Sequence, residues 1–147
     1  MYEKLDDFLS GNFSEDSWYD DGCCIADDMI DSFVENDWIK LRNNLPSKEI
    51  LWKRRLAYCL TNNENVHELE ILLNFIDTQD EDLFELTINS LVEFNTKECK
   101  QFIMKKNPYI FENVKNKLPN KSIVTTKLLE NFLTKMSCGN KTQSEIT

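Results

Sequence analysis

A chain of 147 residues is long enough for one ordinary domain with a real core, and 41% hydrophobic with 29% charged residues excludes wholesale disorder. Three Gly and three Pro are too few for a many-stranded β protein, which needs turn residues every few positions. The formal charge of −9 is polarised: residues 1–44 hold 12 acidic and 3 basic residues, 45–94 hold 10 and 4, and 95–147 hold 4 and 10. An acidic N-terminal part repels nucleic acid and steers basic partners towards itself.

In chain order, Leu5, Phe8 and Leu9 mark a short helix that stops near Gly11. Ser14 or Asp16 caps the next helix, whose apolar stripe of Trp18, Ile25, Met29, Ile30 and Phe33 is broken by Gly22. A short helix with Trp38, Leu41 and Leu45 ends before Pro46, because the residue preceding proline disfavours helical geometry. Ser47 is the expected cap of a long helix with Leu51, Trp52, Leu56, Cys59 and Leu60 on one side. Asn65 and Glu68 have capping-box spacing and open a helix bearing Leu69, Leu72, Leu73 and Ile76. After 77–80 come Leu83, Leu86, Leu91 and Phe94, then a helix from Thr96 with Phe102 and Ile103. Asn107-Pro108 begins another, with Ile110, Phe111, Val114 and Leu118, and Pro119 ends it. Ser122 caps the last helix, with Leu128, Leu129, Phe132, Leu133 and Met136 inward and Gly139 as a stop.

These elements predict an all-α fold of stacked antiparallel helix pairs, either a HEAT-like α-solenoid or an irregular helical bundle. Pair starts near 17, 47, 80 and 108 lie about 30 residues apart, a spacing typical of helical repeats. The expected organisation is a single domain over residues 1–139, followed by a flexible tail over 140–147.

Residues 1–10 carry Glu3, Lys4, Asp6 and Asp7 and no long apolar block, unlike a secretory leader, and no stretch approaches the ~20 apolar residues of a membrane span. Cys23, Cys24, Cys59, Cys99 and Cys138 form an odd set without a paired spacing. Free thiols and a cytoplasmic location follow as expectations.

Motifs that carry chemistry are scarce. His67 is the one histidine, so no zinc set of His and Cys ligands is apparent, and adjacent cysteines cannot chelate as a Cys-x-x-Cys pair does. The carboxylate-rich stretch 16–28 lacks the spacing of an EF-hand loop. No nucleophile elbow, phosphate-cradling glycine loop or dinucleotide fingerprint is present. Neither an enzyme nor a cofactor is expected. Lys97, Lys100, Lys105, Lys106, Lys115, Lys117 and Lys121 give the C-terminal third its charge, but no arginine follows Arg55, and base readout favours arginine.

What remains is acidic surface. Asp20, Asp27 and Asp31 are spaced seven and then four apart and so fit one helical face, with Asp21 and Asp28 as a neighbouring row. Like charges this close on a helix are mildly destabilising, which invites a functional reason, although a solvated face is the ordinary explanation. Tyr19 and Trp38 flank the stretch, and aromatics amid charge are the composition of a binding hot spot, while all three tryptophans are also expected to contribute to the core. A second candidate surface is Asp77, Asp80, Glu81, Asp82 and Glu85.

The run Ser17-Trp18-Tyr19-Asp20-Asp21-Gly22, then Ile25 to Asp31, Ser32-Phe33, and Asn36-Asp37-Trp38 with Leu41 resembles the opening of bacterial immunity proteins from polymorphic-toxin and contact-dependent growth-inhibition systems. The continuation is similar too: Trp52 to Leu60, Glu70-Ile71-Leu72-Leu73, Asp82-Leu83-Phe84 and Asn89-Ser90-Leu91, a block that also resembles HEAT-like repeats. The likeness covers about residues 14–95. It implies a non-catalytic cytoplasmic protein that binds one cognate toxin C-terminal domain, basic and often a nuclease, with neither nucleic acid nor membrane as partner. On this reading the partner-binding residues are Tyr19, Asp20, Asp21, Asp27, Asp28 and Asp31, with Asp77, Asp80, Asp82 and Glu85 as the second surface. The alternative is a HEAT-like adaptor joining other cellular proteins.

Overall fold

In the computed structural model the chain is all-helical, with no strand among the described residues. The structure describes residues 1–118 and 121–146, with side chains as far as Ser137. Pro119 lies outside the described residues, as do the side chains from Cys138 onward, whereas the helix stop expected at Gly139 is not made, the last helix continuing to Ile146. The chain divides into two compact units, Met1–Leu60 and Thr61–Thr147.

The first unit contains α1 (Tyr2–Leu9), α2 (Glu15–Ser17), a π-helical segment (Trp18–Gly22) that runs on into α3 (Cys23–Asp31), α4 (Glu35–Asn44), a 3-10 turn (Leu45–Ser47) and α5 (Ile50–Cys59). Helix α1 packs on α3, α4 and α5. Leu5, Leu9, Ala26, Leu41, Leu56, Ala57 and Leu60 are buried between them, each large aliphatic among them contributing about 1.5–3 kcal/mol by leaving water. Ser14 caps α2, its Oγ accepting the Ser17 N–H at 3.1 Å. Pro46 sits in the 3-10 turn that ends α4, as its restraint on Leu45 predicts. Ser47 does not cap α5. Its hydroxyl donates to the Asn44 carbonyl at 2.9 Å, and Glu49 occupies the N-cap position without a side-chain bond.

Two charged side chains hold this unit together from inside. Asp37 accepts the N–H groups of Tyr2 at 3.0 Å and Val34 at 2.9 Å, joining the starts of α1 and α4. The Val34 donor first, and Tyr2 after it, hold the Asp37 carboxyl below the usual range despite its burial. Arg55 donates through Nη1 to the carbonyls of Leu9 at 2.8 Å and Gly11 at 2.7 Å, satisfying acceptors left open at the end of α1.

The second unit contains α6 (Val66–Phe75), α7 (Glu81–Leu91), α8 (Lys97–Lys106), α9 (Ile110–Asn116) and α10 (Ile123–Ile146). Here α7 packs on α6 and α10, α6 on α8, and α10 on α8 and α9. Asn65, Thr96 and Ser122 accept first-turn N–H groups where the sequence placed helix starts, and Asp80, expected only as a surface residue, caps α7 in the same way. Glu68 departs from the expected capping box, its carboxylate accepting the Asn62 N–H at 3.4 Å. Helix α9 starts at Ile110, two residues after the proline expected to open it. Leu129, Phe132 and Met136 of α10 are buried, while Leu128 and Leu133 are half-buried at the edges of the same stripe.

Candidate partner-binding surface

The surface begins with Trp18 and Gly22. Trp18 is 4% exposed, with Phe8 and Phe13 at ring distances of 6.4 and 6.0 Å and the Arg55 guanidinium 5.5 Å from its ring. The ring lies so close to Gly22 that a Cβ there would stand 2.7 Å from Trp18 Cε3. The glycine that looked like a break in the stripe is therefore the seat of the tryptophan. Over the same residues the helix widens by one position, the Cys23 N–H donating to the Trp18 carbonyl in an i→i+5 bond.

The rows can be followed four residues at a time. Trp18, Gly22, Ala26 and Ile30 form the buried row, each four residues from the last. The adjacent four-residue row is Tyr19, Cys23, Asp27 and Asp31, and the next is Asp20, Cys24 and Asp28. Asp20 within the π-helical segment and Asp27 and Asp31 beyond it are all exposed. Ile25, expected in the core stripe, is exposed as well.

Tyr19, Asp20, Asp21, Asp27, Asp28 and Asp31 are all exposed. None of the five carboxylates makes a hydrogen bond or ion pair among the described residues. The Asp27 carboxyl is pushed up, first by desolvation against neighbouring protein and then by repulsion from Asp31 and Asp28. Beside this row Tyr19 meets Tyr58 of α5 edge to face, with centroids 4.9 Å apart and planes at 77°. Both rings remain exposed, at 46% and 38%. Tyr58 was not singled out from sequence, although its position off the Trp52, Leu56 and Cys59 face of α5 was a readable signal of exposure. Trp38 proves not to be a surface aromatic: it is 3% exposed and packs against Phe33 at 4.8 Å.

The second acidic group is differently employed. Asp80 Oδ2 caps α7 through the Leu83 N–H at 2.8 Å. Glu81 pairs with Lys121 Nζ at 2.6 Å, and Glu85 accepts a hydrogen bond from the Thr125 hydroxyl. Lys117 lies 3.8 Å above the Phe84 ring and donates to the Thr78 carbonyl at 3.4 Å. Burial first, then Lys121, lowers the pKa of Lys117, with Asp77 opposing. Asp77 and Asp82 are exposed at this end of α7.

Cys23, Cys24, Cys59 and Cys99 are free thiols. Burial, then the neighbouring Cys24, pushes the Cys23 thiol up, so its thiolate is disfavoured at neutral pH. Among the described residues no group of three or more His, Cys, Asp or Glu is placed to hold a metal ion, and no helix is long and apolar enough to cross a membrane. The chain matches no protein-family model, and no curated protein or solved structure is detectably similar to it.

Proposed function

We propose that this chain is an immunity protein that binds a cognate bacterial toxin domain, acting by protein–protein contact rather than by catalysis. The observation that carries this reading is the group of five exposed, internally unpartnered carboxylates Asp20, Asp21, Asp27, Asp28 and Asp31, set against the exposed Tyr19–Tyr58 pair. Complementary charge accelerates encounter and rejects wrong partners, while aromatic anchors at the centre of an interface slow dissociation. A basic toxin, such as a nuclease, fits the acidic row as substrate-like charge. The order of motifs across residues 14–95 supports the same family, and stacking of antiparallel helix pairs would supply the rigid platform. The site is the cytoplasm of the cell that makes the toxin.

The test is co-expression with the open reading frame directly upstream, read by co-purification and by growth rescue. A tight complex that restores growth establishes immunity. Absence of both complex and rescue removes this reading in favour of a helical adaptor.

A further inference from the structure

A cleft of about 340 Å³ opens in the second unit between the start of α7 and the end of α9, walled by Thr78, Glu81, Phe84, Asn116, Lys117 and Lys121. Lys117 is half-buried there. Its amine stands 3.8 Å over the Phe84 ring and donates to the Thr78 carbonyl at 3.4 Å. No carboxylate pairs with it among the described residues. The Glu81 carboxylate is taken by Lys121 at 2.6 Å, and Asp80, also in the wall, by the first turn of α7.

A lysine becomes a nucleophile when a desolvating pocket or a neighbouring cation disfavours its ammonium form. Both act here: burial first and then Lys121 lower the pKa of Lys117, with Asp77 opposing. The Phe84 face opposes too, because a ring face attracts the charged form. Once Lys117 is the neutral amine, Asp80 and Glu81 outnumber Lys121 in the wall, which disfavours an anionic ligand.

We propose that the Lys117 amine, set in this cleft against Phe84 and beside Lys121, is a covalent site for a small uncharged aldehyde. The amine gives its proton to solvent, and the Nζ lone pair attacks the carbonyl carbon. A C–N bond forms, and the oxygen leaves as water with the two protons of the neutral amine. An imine remains, and no oxidant or reductant is consumed. The site does not rest on the function proposed above.

The experiment treats the full chain at neutral pH with propanal and cyanoborohydride, which reduces an imine to a stable amine, and maps the labelled lysines by peptide mass spectrometry. Lys117 should be labelled at least about fivefold faster than the exposed Lys97, Lys105 and Lys115. That preference should shrink as pH rises into the ordinary lysine range, where every amine is free, and vanish in urea, where the cleft is lost. Pyruvate in place of propanal should give a smaller preference. Lys121→Gln removes the repelling cation and releases Glu81, and should lower the preference at least about twofold. Labelling of Lys117 at the rate of the exposed lysines would overturn the inference. So would a preference that survives urea, ignores pH or Lys121→Gln, or grows with pyruvate.

Discussion

The two acidic groups of this chain have similar composition and opposite structural circumstances. At the start of α7 the carboxylates are employed within their own unit: Asp80 ends a helix, Glu81 meets Lys121, and Glu85 meets Thr125. On the helix spanning 15–31 Asp20, Asp21, Asp27, Asp28 and Asp31 have no such partner, and desolvation first, then repulsion from Asp31 and Asp28, raises Asp27. A carboxylate that caps or pairs explains its own presence through stability. One that repels its neighbours needs another reason, and binding a basic partner is that reason in the function proposed here.

The contrast can be broken by charge reversal. Asp27→Lys with Asp28→Lys should raise Kd for the toxin domain at least about 100-fold, about 2.7 kcal/mol, while Asp77→Lys leaves it within about twofold. Surface plasmon resonance on the purified pairs measures both. Equal losses from the two sites would erase the distinction.

The scaffold beneath the acidic row comes next. Gly22→Ala places a methyl against the Trp18 ring and should destabilise the first unit by about 1–3 kcal/mol, read as a lower denaturation midpoint. An unchanged midpoint would mean that the tryptophan moves aside freely and that the glycine does not set the row.

Asp80→Ala removes a cap and should cost about 1 kcal/mol of stability without altering affinity, as denaturant titration and binding assays will tell. The smallest effect has the opposite sign. Asp27→Asn should stabilise the chain by about 0.2–0.5 kcal/mol at neutral pH, by removing a partly desolvated charge and relieving repulsion from Asp31 and Asp28, yet weaken binding. Because the folded-state pKa of Asp27 is raised, its charge penalises folding above that value. The gain from Asp27→Asn should therefore fade as pH falls through the raised value and vanish below the ordinary carboxylate range, where both states are protonated. Destabilisation by Asp27→Asn at neutral pH would show that the row is structurally supported after all.

The helices themselves were legible in the sequence because their signals are local. Apolar spacing gave Leu69, Leu72 and Ile76, and Leu129, Phe132 and Met136, as inward residues, and Ser14, Asn65, Thr96 and Ser122 marked starts through their own hydroxyl or amide groups. The acidic character of residues 16–31 was equally a property of the chain alone. The π turn over Trp18–Gly22 was not, because it goes with the contact of Trp18 with Gly22 and with the Phe8, Phe13 and Arg55 groups around the ring. Pairing is decided by distance in space, so the sequence could not separate partnered Glu81 and Glu85 from unpartnered Asp27 and Asp28. The same holds for Tyr58, 39 positions from Tyr19 in the chain and 4.9 Å from it in the fold, and for Arg55, whose burial arises only when α5 packs against α1. Composition and periodicity determine what a chain can form, and packing between segments distant in sequence decides which of its charges are satisfied and which are left to meet a partner.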